Sequence, residues 1–276
     1  MFPFKLALNV STLFPYELDI KGQVQVAAEA GYEGIELWVK DIEQYVNNGG
    51  TIAQLKRYFA DAGIQVVNAI AFFKWSDAND EVRAQAFLQA EKEMEMLVEL
   101  GCLAVAAPPF GDVEAVTLEE MASYYAQLSN LGRKLGIEPY LEFWGRAKKL
   151  SRLSEALYVA AESGVEDAKL LLDPFHMYTG GSNVESLAYL NGQRIGIVHA
   201  NDYPFSPARE VIEDRDRVFP GEGIAPSSKL AQLLYNSGYR GYLSLELFVE
   251  SYGEQSAVEI ARHGLEAMKK TYSVES

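Results

Sequence analysis

The chain reads as an α/β protein, a single (β/α)8 TIM barrel over residues 1–276. Three features carry that reading. Short apolar, β-branched runs alternate eight times with stretches of helical period. Glycines fall just after the helical stretches, at Gly31, Gly63, Gly101, Gly136, Gly164 and Gly238, where a helix ends readily in the left-handed conformation. No Pro/Ser-rich linker or low-complexity tract divides the chain, so the units average about 34 residues each.

The elements follow in order. Lys5–Leu8 is the first strand, and Gln23–Ala30 the helix that Gly31 stops. Gly34–Val39 is the second strand, followed by a helix over Ile52–Ala62. Gln65–Ala71 precedes the long helix Glu81–Leu100. Leu103–Ala107, closed by Pro108-Pro109, precedes the helix Leu118–Leu135. Ile137–Phe143 is the fifth strand and Ser151–Ser163 its helix. Lys169–Leu172 is followed by a short helix near Val184–Leu190. Arg194–His199 precedes Ser228–Asn236, and Tyr242–Leu247 precedes the last helix, Gln255–Lys270. Parallel strands need a crossover of at least about a dozen residues, and every connection supplies it.

Composition narrows the function. A hydrophobic share of 49% with 23% charged residues fits a globular chain with a sizeable core. Lys+Arg number 24 against 39 Asp+Glu, a net charge of −15. Broad contact with nucleic acid needs a basic footprint, which this balance denies. A small anionic substrate stays open, because a pocket can be locally basic on an acidic protein. One cysteine, Cys102, excludes an intrachain disulfide and a multi-thiolate metal site, and its apolar surroundings place it in the core. No uninterrupted apolar run of about 18 residues offers a transmembrane span. The first residues lack the pattern of a secretory signal, so a cytoplasmic location is expected.

In such a barrel the chemistry sits at the C-terminal ends of the strands. The fifth strand ends Leu141-Glu142-Phe143, the sixth Leu172-Asp173-Pro174-Phe175-His176, the seventh Val198-His199-Ala200-Asn201-Asp202, the eighth Leu245-Glu246-Leu247. Each polar group taken alone has an ordinary explanation, as a salt-bridge partner, helix cap or satisfied core histidine. Taken together, Glu142, Asp173, His199 and Glu246 converge on one end of the barrel. Crowded buried carboxylates repel unless a cation lies among them. The set is hard and oxygen-rich, suited to one divalent metal ion, Mn²⁺, Mg²⁺ or Co²⁺, with Zn²⁺ also allowed.

These four segments, with Asp216-Arg217-Val218-Phe219-Pro220-Gly221-Glu222-Gly223, resemble the xylose isomerase-like TIM-barrel superfamily across the whole chain. More narrowly they resemble its sugar-phosphate isomerase/epimerase branch, which holds ketose 3-epimerases, hydroxypyruvate isomerases, keto-inositol isomerases and inosose dehydratases. The resemblance implies that Glu142, Asp173, His199 and Glu246 bind the metal. It implies that Glu142 and Glu246 are also acid/base groups on opposite faces of the substrate, and that His176 and Arg217 contact its oxygens. The expected activity is isomerisation or epimerisation of a small sugar, keto-sugar, sugar phosphate or hydroxy-keto acid by proton transfer through an enediolate. Dehydration of a keto-inositol or keto-sugar at the same site is the alternative, and a non-catalytic sugar- or metal-binding barrel is a third.

One departure stands out. Ketose 3-epimerases typically carry a carboxylate six residues after the strand-five glutamate, where this chain has Lys148. With Arg146 and Lys149 it forms a basic loop, either simply solvated or recognising a phosphate or carboxylate. The stretch Gly180-Gly181-Ser182-Asn183 reads as a turn and helix cap, with a backbone N–H cradle for an anion as the alternative. Glu36 and Asn9 are further acid and amide candidates for the rim of the site. Trp38, Phe72, Phe73, Trp75 and Trp144 follow strands and are placed to wall a pocket. His263 lies on the last helix as a bystander. The expected partner is a small polyhydroxy carbonyl substrate, with no nucleic acid and no membrane; pairing into a homo-oligomer stays open.

Overall fold

Eight parallel strands hydrogen-bond in chain order, and the last returns to the first, in a computed structural model that describes residues 1–275. They are β1 (Lys5–Asn9), β2 (Gly34–Trp38), β3 (Gln65–Ile70), β4 (Ala104–Ala107), β5 (Glu138–Glu142), β6 (Leu170–Leu172), β7 (Ile195–Ala200) and β8 (Tyr242–Leu245). The helices are α1 (Ile20–Ala30), α2 (Val39–Asn47), α3 (Ile52–Ala62), α4 (Asp80–Leu100), α5 (Leu118–Leu135), α6 (Leu153–Glu162), α7 (Pro174–Gly180), α8 (Ser227–Asn236) and α9 (Ala257–Thr271). All eight expected strands form, with ends within two residues of those read from the sequence.

The helix boundaries follow local chemistry. Thr51, Thr117 and Ser256 begin α3, α5 and α9 with reciprocal capping boxes to Gln54, Glu120 and Glu259. Asn79 caps α4 by accepting from the N–H groups of Glu81 and Val82. Such caps contribute about 1 kcal/mol each. Gly101 ends α4 at φ 92°, a conformation that costs a side-chain-bearing residue far more than glycine.

Two helices depart from the sequence reading. α2 follows β2 without a break, and its N-cap, Trp38, makes no side-chain capping bond, so no capping signal marks its start. α7 has seven residues, too few to show a period, although Asp173 caps it and Pro174 opens it. The expected helix near Val184–Leu190 is a 3₁₀ segment, Val184–Tyr189, capped by Asn183. Gly181 ends α7 at φ 74° and Asn183 caps the 3₁₀ segment, so Gly180–Asn183 is a turn and cap.

The core has two layers. Within the barrel, Ala7, Val67, Ala104, Ala106, Leu171 and Ile197 pack around Tyr140. A Cβ on Gly196 would lie 2.6 Å from that ring, so the glycine makes room for the tyrosine that plugs the barrel below the site. The outer layer packs strands against helices and includes Cys102. Burial pushes the Cys102 thiol up to about 12, and it donates to the Ala104 carbonyl, as expected of a core cysteine. Among the described residues, no helix is long and apolar enough to cross a membrane.

Candidate active site

The barrel register brings the strand-end groups together. Glu142 is the last residue of β5, Asp173 follows β6 as the cap of α7, His199 lies in β7 and Glu246 follows β8. All four are nearly or fully buried. Asp173, His199 and Glu246 each offer a ligand atom, and these atoms lie within 4.8 Å of one another. Nδ1 of His199 is 2.9 Å from Oε2 of Glu246 and 3.3 Å from Oδ2 of Asp173. Asp173 is pinned on its other side: Oδ1 accepts from the Phe175 N–H at 2.7 Å and from Nδ2 of Asn201 at 3.1 Å. Glu142 stands beside this trio without belonging to the tight group.

Arg217 reaches into the same cluster and is 1% exposed. Its Nη1 donates to Asp173 at 2.8 Å and to Glu246 at 2.6 Å, and its Nε donates to Asp214 at 3.1 Å. Phe175 and Phe248 flank the guanidinium, with ring centroids 4.5 and 5.1 Å away. The loop carrying Arg217 is fixed by Asp202, at the end of β7. Its carboxylate accepts from the N–H groups of Tyr203, Gly221 and Ala225 at 2.8, 3.0 and 2.7 Å. An antiparallel bridge joins Asp202 to Val218. A Cβ on Gly223 would meet the Tyr203 carbonyl oxygen at 2.2 Å, so that glycine permits the close return of the loop.

The charges explain the protonation states. Burial raises Glu142 to about 8, helped by Glu246 and Asp173 and opposed by His199. Burial also raises Glu246, against the pull of His199 and Arg217. For Asp173 burial loses: Arg217, His176 and His199 hold it well below the usual carboxylate range. Burial would lower His199, yet Glu246 and Glu36 raise it well above an ordinary imidazole. Burial lowers His176 to about 4, over the opposing pull of Asp173, so it is neutral near pH 7. Its Nδ1 is buried and has no hydrogen-bond partner among the described residues.

These groups open into a cavity of about 1290 Å³, walled by Phe72, Phe110 and Trp144 and lined by Glu142, His176 and Glu246. Trp144 packs edge-on to Phe110 and tilted against Phe72, at centroid separations of 6.2 Å in both cases. Trp38 packs against Phe72 at 5.1 Å, while Phe73 and Trp75 are buried away in the core. Lys148 lines the cavity and enters no ion pair among the described residues. Arg146 also lines it, but its guanidinium donates to the carbonyls of Arg209, Glu210 and Ile212 at 2.6, 3.0 and 2.9 Å. Those bonds tie the β5 loop to the loop after β7. His263 lies half-exposed, 2.7 Å from Glu222 and away from the site.

The donor set fits a divalent cation. Two carboxylates and an imidazole converge within ligand-sharing distance, a further glutamate stands beside them, and a guanidinium nitrogen already lies between Asp173 and Glu246. Two polar groups around the cluster were not picked out from the sequence, Asn68 and Asn201, whereas Asp214 pairs with Arg217 as its place three residues before that arginine allows. Amides carry no periodicity, and only the strand register brings these two in. Glu36 and Asn9 sit beneath the cluster inside the barrel, fully buried, rather than on its rim.

The closed eight-stranded barrel and the acids at its strand ends define a known class. The chain belongs to the xylose isomerase-like TIM-barrel family, whose model matches residues 24–271. Among its relatives is the inosose isomerase of Bacillus velezensis, 26% identical over 98% of this chain and 97% of that protein. The 3-dehydroshikimate dehydratase of Pseudomonas aeruginosa is also 26% identical, over 83% of this chain and 36% of that longer protein. The crystal structure of the IOLI protein with a bound zinc atom superposes with a TM-score of 0.89, at 24% identity over 98% of both chains. These relatives make the chain an enzyme of this family.

Proposed function

We propose that the protein is a divalent-metal-dependent isomerase or epimerase of a small polyhydroxy carbonyl compound, a cyclic keto-polyol of the inosose class foremost. One observation carries this reading. Two buried glutamates, Glu142 at the end of β5 and Glu246 just after β8, face one cavity and flank Asp173 and His199 in the strand order. Pure binding has no need of a pair of proton-transfer groups so placed. The near-full-length likeness to inosose isomerases supports the substrate class.

Glu142, Asp173, His199 and Glu246 would hold the ion. Bound there, it supplies an electrophile for a carbonyl and its neighbouring hydroxyl and balances the clustered carboxylates. The residues divide the remaining work. Glu142 or Glu246 removes the proton α to the carbonyl, which requires a base within hydrogen-bond reach of that carbon. Delivery of a proton from the other glutamate, which starts protonated, to the opposite face inverts the centre; return of the abstracted proton from the same glutamate to the adjacent carbon, with a hydroxyl proton passing between the two oxygens, isomerises the compound. Neutral His176 presents its unpartnered Nδ1 to a substrate oxygen. Arg217 holds Asp173 and Glu246 in place and offers positive charge to developing oxyanions. Trp144 and Phe72 give an apolar sugar face something to pack on. Lys148 and Lys74 are the cavity cations that enter no ion pair among the described residues and are free to meet an acidic substituent, whereas Arg146 is spent on three carbonyls and positions the loop.

The test is product analysis by NMR in D₂O, with Mn²⁺-loaded protein and a panel of keto-inositols, ketoses and hydroxy-keto acids. Deuterium at the reacting carbon without loss of water supports the proposal. Water loss reassigns the site to dehydration. Absence of exchange across the panel contradicts catalysis at this site.

A further inference from the structure

Glu36 has no place in the proton transfer above, yet it is an acid with no exposed surface in the middle of the barrel. It sits on β2, where strand register sets it beside Asn9 of β1 and Asn68 of β3. The β2–β3 register shifts between Ile35 and Glu36, so that Glu36 faces Asn68 rather than Val67. Nδ2 of Asn68 donates to Oε1 of Glu36 at 2.8 Å, and Nδ2 of Asn9 approaches Oε2 at 3.4 Å. The same Asn9 amide donates to Glu246 at 3.0 Å. Above this row lies His199, whose Nε2 is 3.4 Å from Oε1 and 3.3 Å from Oε2 of Glu36. Its Nδ1 faces the opposite way, toward Asp173 and Glu246.

We propose that Glu36 is a positioning residue for the metal centre, accepting the Nε2 proton of His199 so that Nδ1 is presented to the ion. The inference rests on the reading of His199 as a ligand. The chemistry is general: an imidazole binds a cation through one nitrogen while the other carries the proton, and an acceptor for that proton fixes both tautomer and ring orientation. Glu36 is the only acceptor placed at Nε2 among the described residues. Asn68 and Asn9 hold the carboxylate still, and Asn9 extends the same network to Glu246. A merely structural role would be filled as well by an apolar side chain, with no carboxylate to bury.

Two measurements test this. The first titrates metal-free protein with Zn²⁺ against a chromophoric chelator. Glu36→Gln removes the anionic acceptor, and Glu36→Asp keeps the charge but withdraws it from Nε2. Both are expected to weaken Zn²⁺ binding 10- to 100-fold, with metal-free melting temperatures showing that the variants fold. The second needs no variant: ¹⁵N NMR of Zn²⁺-loaded wild-type protein, which has three histidines to assign. Nδ1 of His199 should carry the metal, and Nε2 a hydrogen-bonded proton. Wild-type protein that binds Zn²⁺ through Nε2, or variants that bind as tightly as wild type, overturn the inference. Wild-type protein that binds no Zn²⁺ overturns the ligand reading beneath it.

Discussion

Glu142 and Asp173 are acids in similar burial with opposite protonation tendencies, and neighbours decide the difference. Asp173 has Arg217 and His199 at hydrogen-bond distance and stays ionised; Glu142 has no cation that close among the described residues and rises to about 8. As one of the two proton-transfer groups, Glu142 needs a carboxylate that can take up and return a proton. Glu142→Gln should therefore lower kcat by roughly 10²–10⁴, with a smaller effect on KM, measured by steady-state kinetics on the substrate found in the panel. The same shift sets a pH dependence. Below about pH 8 the metal-free Glu142 carries a proton, which a cation must displace. Metal binding should release protons and tighten as pH rises, with the Glu142 contribution levelling above about 8. Calorimetry in buffers of different ionisation enthalpy reads the proton count; affinity independent of pH from 6 to 8 would contradict it. At this level the sequence was informative where an acid or imidazole interrupts an apolar strand, as with Glu142, His199, Glu246 and Glu36. It was silent on Asn68 and Asn201, whose type occurs everywhere on surfaces.

The loops after β5 and β7 do the positioning, and each is anchored from below. Asp202 gathers three backbone N–H groups of the loop that carries Arg217. Asp202→Ala leaves those donors without their buried acceptor, a loss of roughly 3–5 kcal/mol. It should also lower kcat/KM about tenfold or more by loosening Arg217; thermal melts and kinetics measure the two effects. At the β5 loop, Gly145 lies so near α7 that a Cβ would meet Thr179 Oγ1 at 2.0 Å and the His176 carbonyl at 2.6 Å. Gly145→Ala should cost about 1–3 kcal/mol by overpacking and displace His176, seen as a lower melting temperature and a raised KM. Most elements were legible from glycine stops and apolar runs. α2 and α7 were not, because one lacks a capping signal and the other is too short to show a period.

The barrel order places four strand ends side by side, and that adjacency turned separate residues into one site. Eight repeating units were readable because each buries one strand between two neighbours and one helix against them. The loop path that inserts Arg217 between two carboxylates was not, because nothing local in the sequence fixes how a long β7–α8 connection folds back. The acidic cluster also links metal to stability. An ion that binds only the folded state stabilises by about 2.7 kcal/mol at one hundred times its dissociation constant, or roughly 5–10 °C in a domain of this size. Chelation should lower the melting temperature by that order, and Mn²⁺ should restore it. The most direct measurement is an anomalous difference map from crystals of the metal-free protein soaked in Mn²⁺. One strong peak is expected at the C-terminal end of the barrel, with Glu142, Asp173, His199 and Glu246 as ligands at roughly 2.0–2.4 Å. A map with no peak there, or a peak from which Glu142 stands apart, would contradict it.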